Sequence, residues 1–278
     1  MFSLIFTFRG RLTILISVLL ISLLALVSCG RAEETPKLEE TISLAGSTSV
    51  EPLAKRLALA YMENNPQITI NISGGDSTVG VKSVWEETVD IGMASRELEL
   101  GEPELMTFVI ARDGVVVIVH SVNKVEGLSR EEVYKIFSGE ITNWKNVGGE
   151  DDTITIVSLE EGSETRATFE KWVMEDKPIT AGAFFLSSNS LVRANVAKGL
   201  DAISYYPLSR LDSTVKALAI DGVEATIENI KAGIYPVPRL FYFLTKETPR
   251  GEVKKFIDFC LGPEGQQIVV DMGYVPAE

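Results

Sequence analysis

Time and again in this chain an alternating apolar stretch ends in a knot of hydroxyls, and an amphipathic run follows. Thr41-Ile42-Ser43-Leu44 alternates as a strand does, and Leu53, Leu57, Ala60 and Tyr61 recur at helical spacing. Between them lie Ala45-Gly46-Ser47-Thr48-Ser49, with Pro52 where a helix's first turn tolerates it. Ile68 to Ile72 alternates strictly, then come Ser73-Gly74-Gly75-Asp76-Ser77-Thr78, and Val81, Val84 and Trp85 suggest a helix. Asp90 to Ala94 reads as a short buried strand ending in Ser95-Arg96. Thr153 to Val157 alternates and runs into Glu160-Glu161-Gly162-Ser163-Glu164-Thr165-Arg166, before Phe169, Trp172 and Val173 at helical spacing. Ser187 to Ser190, ahead of Leu191 to Ala197, is a weaker instance that stops at Gly199.

A helix start carries unpaired N–H groups and a partial positive charge, and hydroxyls beside it add donors that turn toward one small acceptor. One such junction is explained by capping, since Ser and Thr are the usual N-caps. A cap needs one hydroxyl; it does not need clusters with glycine at junction after junction. In an open α/β sheet the loops beyond the strands' carboxyl ends meet at one crevice. Converging, these loops make a pocket of neutral donors with an arginine, a seat for a small anion. Arg96 has a plainer reading as a surface ion pair, with Glu97 and Glu99 as neighbours.

The rest of the chain fits an α/β protein with one large domain or two lobes, as its 278 residues suggest. Gly114 to Val119 is a continuous β-branched run, a strand buried on both faces, and His120, the only histidine, closes it as a structural residue. Ser129 to Glu132 reads as a capping box ahead of Val133, Ile136 and Phe137. Ile203 to Tyr206, Lys216 to Ile220 and Arg239 to Leu244 read as strands, and Glu252 to Leu261 and Pro263 to about Met272 as helices. The formal net charge is −13. Such acidity argues against nucleic acid as a partner, since phosphate-backbone binding needs a basic face. A small anion is still held by dipoles at close range.

Residues 1–28 carry Arg9 and Arg11 and then an uncharged apolar run, Leu12 to Val27, shorter than the ~20 residues a membrane span prefers. This reads as a signal peptide. Leu26-Val27-Ser28-Cys29 resembles the lipobox of bacterial lipoproteins, which implies that Cys29 is acylated and that the chain is anchored by lipid outside the cytoplasmic membrane. Residues 29–40, charged and holding Pro36, then form a tether. With Cys29 so used, Cys260 remains as a small core residue and no intrachain disulfide is available.

The motifs in order resemble the phosphate-binding proteins of ABC transporters. They are Gly46-Ser47-Thr48-Ser49, the loop 73–78, Val89 to Arg96, Glu161-Gly162-Ser163 with Thr165-Arg166, Tyr235-Pro236 with Pro238-Arg239, Gly262 to Val269, and Gly273-Tyr274-Val275-Pro276. The resemblance covers residues 41–277. It implies the type II periplasmic-binding-protein fold, two α/β lobes joined by two crossing strands near 111–119 and 237–244. The first lobe would hold 41–113 and 240–278, the second 114–239. It further implies a monomer that takes inorganic phosphate to ABC transporter permease subunits, with no cofactor, no metal and no catalysis. Thr48 and Ser49, with Ser47 nearby, would donate from the first loop and Ser77 from the second. Ser95 and Arg96 would contribute from the third, and Ser163, Thr165 and Arg166 from the second lobe.

Three positions depart from the family pattern. Leu159 stands where an arginine is common, Glu164 where a glycine is common, and Asp76 where glycine or serine is common. Monohydrogen phosphate carries a proton that sulfate lacks, so a carboxylate in the pocket accepts from one and repels the other. Asp76 is the first candidate for that acceptor and Glu164 the second. The missing arginine keeps open the same fold binding sulfate, molybdate or tungstate, and a surface role in phosphate sensing or adhesion. A serine hydrolase is disfavoured, because Gly-x-Ser-x-Gly is absent and His120 is the one histidine base.

Overall fold

Six strands that pair in parallel and two crossing strands set the architecture. In the computed structural model, residues 40–277 are described. The expected signal peptide, Cys29 and nearly all of the tether lie outside them. Glu40, read as the tether's last residue, instead opens the first strand.

The first half begins with β1 (Glu40–Ser47), α1 (Glu51–Asn64), β2 (Ile68–Gly75), α2 (Ser77–Trp85) and β3 (Ile91–Ala94). A 15-residue strand, β4 (Met106–His120), follows, then β5 (Gly127–Leu128), α3 (Arg130–Ser138) and β6 (Thr155–Leu159). Next come α4 (Glu164–Trp172), β7 (Phe184–Leu186), α5 (Asn189–Val196) and β8 (Ala202–Pro207). Short strands β9 (Val215–Ala217) and β10 (Ala219–Ile220) and a one-turn helix α6 (Ile227–Lys231) lead to β11 (Pro238–Thr245). Helices α7 (Gly251–Leu261) and α8 (Pro263–Asp271) close the chain.

Nine strands form one curled mixed sheet in the order β2-β1-β3-β11-β4-β8-β6-β7, with β9 beside β4. β1 runs parallel to both β2 and β3, so Ser47, Gly75 and Ala94 end on one edge. β4 and β11 are the crossing strands. The first part of β4 pairs antiparallel with β11 from Met106 to Gly114, and from Val115 onward it pairs with β8. β4 is longer than the expected crossing at 111–119 because Met106 to Ile110 joins it in front and His120 behind. The expected strand at Lys216 to Ile220 is two: Leu218 N donates to Val117 O of β4, and Ala219 then turns to pair with β5.

The apolar core follows the sheet. One cluster packs α1, α7 and α8 on β1 and β2 through Leu53, Leu57, Phe241, Phe243 and Phe256. A small one seats α2 under β3 through Val81, Val84 and Ala94. A third lies around Phe137, Phe169 and Tyr205 in the second half. Phe169 stacks on Tyr205 with centroids 4.2 Å apart. Burial pushes the Tyr205 hydroxyl up to about 12, so it stays neutral; it receives the Leu159 N–H and bonds Ser158, which fixes the end of β6. Ser129 and Glu132 form the expected capping box. His120 Nδ1 accepts from Val122 N, a turn contact in keeping with a structural role. Cys260 is fully buried in the core, and burial raises its thiol pKa.

Candidate functional site

The hydroxyl loops of the first half meet on one point. Ser47, at the end of β1, is fully buried; its Oγ accepts from the N–H groups of Ser49 and Val50. Ser77 opens α2 and is 3% exposed, and Ser95 N donates to its Oγ at 3.0 Å. Glycines let these loops close up. A Cβ on Gly46 would fall 2.7 Å from Gly80 Cα, and one on Gly92 would fall 2.5 Å from Gly80 O. Side chains at these positions would therefore push the loops apart.

The point on which they converge is filled by the carboxylate of Glu164, which reaches across from the start of α4. Glu164 Oε1 accepts from Ser77 Oγ and, at 2.9 Å, from Ser77 N. Glu164 Oε2 accepts from Ser47 Oγ and, at 3.4 Å, from Ser49 N. Two hydroxyls and two backbone amides, at the starts of two helices, thus surround one anion of the protein itself. Charge-assisted bonds of this kind are the strong ones, and helix starts favour negative charge.

The two candidate carboxylates are placed differently. Asp76 is exposed and caps α2, its Oδ1 accepting from Val79 N at 2.7 Å. Its side chain is fixed on its own helix end and borders the cleft beside the seat, while Glu164, the second candidate, occupies the seat.

Arg96 sits on the wall of a cleft of about 570 Å³ that Ser77, Ser95, Ser163 and Glu164 also line. Its guanidinium is held bidentately by Glu102, at 2.7 and 2.8 Å, and touches Thr78 and Glu99. Those bonds raise the Arg96 pKa and lower that of Glu102. Arg96 therefore takes the ion-pair role, with Glu99 and Glu102 as partners. Arg166 is buried, pairs with Glu170 at 2.8 Å, donates to Leu159 O at 3.2 Å and lies over the Phe185 ring. It holds the end of β6 and lines the same cleft.

Ser163 caps α4 by accepting from Arg166 N, which leaves its O–H to donate. Thr48 is exposed, Ser49 half-buried and Thr165 buried. These three line a second cleft of about 440 Å³ with Ser163, the 187–190 loop, Ser209 and Arg210.

The residue the sequence reading passed over is Arg239. It borders both clefts from the start of β11 and its side chain is 2% exposed. Nη1 donates to Ser49 Oγ at 3.3 Å and to Thr165 Oγ1 at 3.2 Å, one from each side of the cleft. Nη2 pairs with Asp113 at 2.7 Å. Its Nε has no hydrogen-bond partner among the described residues. Asp113 is itself fully engaged, accepting also from Gly114 N, Ser209 N and Ser209 Oγ. The available signal was an arginine leading the apolar run Leu240 to Leu244, where a buried charge needs a partner. Arg239 puts a guanidinium in the cleft that Leu159 does not.

Two α/β halves sharing two crossing strands, with a donor-lined cleft between, define a substrate-binding protein of the periplasmic-binding type. The model of the PBP superfamily domain matches residues 31–264, and the chain belongs to that superfamily and, within it, to the family of phosphate-binding proteins. It is 33% identical to the phosphate-binding protein PstS of Bacillus subtilis, over 90% of this chain and 88% of that one. A structure of a putative phosphate ABC transporter substrate-binding protein with bound phosphate, from Clostridium perfringens, superposes with a TM-score of 0.76. The two are 36% identical, and the match covers 86% of this chain and all of that one. An ABC-type phosphate transport receptor from Vibrio cholerae gives a TM-score of 0.78 at 32% identity, over 85% of this chain and 99% of that one.

Proposed function

We propose that this protein captures inorganic phosphate in the cleft between its lobes and delivers it to the permease subunits of an ABC transporter for import. The observation that carries this is the seat itself. Donors from separate turns, at Ser47, Ser49 and Ser77, surround an oxyanion group, and a guanidinium stands beside them. Phosphate would take the place of the Glu164 carboxylate, with Ser95, Thr48, Ser163 and Thr165 as further donors. Arg239 would supply the positive charge, while Arg96 and Arg166 hold the walls.

The lobes are assigned as 41–113 with 240–278, and 114–239; the separation of the apolar clusters on either side of Asp113 and Gly114, with Val275 alone packing across, supports this. The protein acts by binding, not turnover. No helix among the described residues is long and apolar enough to cross a membrane. We assign the leader 1–28 as a signal peptide and Cys29 as the lipid anchor, which places a monomeric binding lobe pair outside the cytoplasmic membrane.

Calorimetry of the protein lacking residues 1–29 against phosphate, sulfate, molybdate and tungstate tests the reading. Phosphate is expected to bind at least a hundredfold more tightly than the others and to raise the melting temperature by binding the native state. Equal or tighter binding of another oxyanion reassigns the ligand.

A further inference from the structure

The seat built for an anion already holds one, and it comes from the opposite side of the cleft. We infer that Glu164 is an internal competitor for the anion site: its carboxylate holds the lobes together without ligand, and phosphate must displace it. The proposal rests on the phosphate reading and adds to it the residue that sets affinity and ligand-free shape.

Four observations support it. The carboxylate is matched to the seat, each oxygen taking one hydroxyl and one backbone amide. These donors all belong to the first lobe, whereas Glu164 sits on the first turn of α4 in the second. The contact is thus a bridge across the cleft and not a local cap. Its anchorage on the second lobe is light: Ser163 does the capping of α4, and the Glu164 backbone oxygen accepts only from within the helix, from Thr168 Oγ1. Finally, the side chain is only half-buried and lines both clefts, so it has room to swing out when a guest arrives.

The physics of exchange favours phosphate when it is abundant. Monohydrogen phosphate carries two negative charges against one, and three or four acceptor oxygens against two. It gains from the same donors, and from Arg239 besides. The cost is that a seat occupied by its own carboxylate is available for only a fraction of the time, and apparent affinity falls by that fraction. The glutamate then acts as a threshold: scarce ligand leaves the lobes latched by Glu164, and ample ligand replaces the latch.

The test uses Glu164→Ala and Glu164→Gln in the protein lacking residues 1–29. Calorimetry with inorganic phosphate is expected to give at least tenfold tighter binding for Glu164→Ala, with a smaller gain for Glu164→Gln, whose amide still fits the space. Small-angle scattering without phosphate is expected to show a larger radius of gyration for Glu164→Ala than for the parent, and equal radii once phosphate is added. An affinity within threefold of the parent overturns the proposal. So does weaker binding, which would make the carboxylate a partner of the bound anion. If neither protein binds phosphate, the phosphate reading fails. The scattering comparison then stands alone: an opened variant keeps Glu164 as the latch, and identical radii remove it.

Discussion

The two sides of the cleft are built on opposite plans. On the first side, Ser47, Ser77 and Ser95 are 0%, 3% and 4% exposed, and they end strands or start helices locked by glycine-to-backbone contact. On the second, Ser163 and Glu164 are half-buried, and Glu160, Glu161 and Gly162 ahead of them are exposed. Gly162 has a φ of +85° and nothing within 4 Å of where a Cβ would lie. One side is a close-packed mould, the other a loop in open space. On the proposed function, selectivity would rest with the mould and closure with the loop.

Arg239 touches both sides, and its loss should have the largest effect. Arg239→Met leaves Asp113 buried without its counter-charge, and breaking such a pair costs about 3–5 kcal/mol. Urea denaturation should show that loss, whereas Asp113→Asn with Arg239→Met should recover much of the stability while phosphate binding stays weak. Recovery of binding by the double variant would take Arg239 out of the site.

Ser77→Ala should come next. It removes a donor to the anion from the close-packed side, about 1.5–3 kcal/mol for a charged partner. Phosphate should bind roughly ten- to a hundred-and-fifty-fold more weakly in calorimetry. Ser163→Ala, on the loop side, should lose less. Equal losses would erase the distinction between mould and loop.

The glycines sharpen the same contrast. Gly80→Ala drives a methyl against the Met93 backbone, and overpacking of this kind costs about 1–3 kcal/mol. It should lower both melting temperature and affinity. Gly162→Ala meets no neighbour and suffers only its left-handed backbone, about 1–2 kcal/mol. Its effect should fall on stability and opening rate and leave the seat's preference among oxyanions unchanged.

The smallest effect is expected at Glu102, where the Arg96 bond holds the carboxyl below its usual range. A carboxyl with a depressed folded-state pKa stabilises the fold above its unfolded value and loses that contribution as pH falls through the folded one. Glu102→Gln should therefore be less stable than the parent at neutral pH by about 1 kcal/mol, as partly exposed pairs are. The gap should close in acid. A gap that persists there would mean packing, not charge, is what Glu102 contributes.

Much of this was legible in the residues. The alternating runs at 41–44 and 68–72 gave strands because one face of each is buried, the run at 153–157 gave a strand shifted to Thr155–Leu159 and buried on both faces, and the hydroxyl clusters fell where those strands end. Met106 to Ile110 was not read as strand, because it lies beyond the β-branched run, with Arg112 and Asp113 between, and pairing with β11 makes it extended. Single-turn α6 and the two- and three-residue strands owe their form to neighbours that local propensity does not contain. At the site, residue type told which groups could donate. It did not tell where a carboxylate would point. Asp76 and Glu164 both flank helix starts, and the difference is that one finds its own helix's N–H while the other finds two loops across the cleft.

Arg239 and Asp113 stand opposite one another in the register of β11 and β4, the two strands both lobes share. If the lobes turn about these strands when phosphate is captured, as the proposed function has it, the separation of the pair would change little. The expense of taking two charges out of water falls on folding, once, and not on each capture event. On that reading an arriving anion would meet a guanidinium already dry and already held in place, and closure would only have to bring hydroxyls up to it.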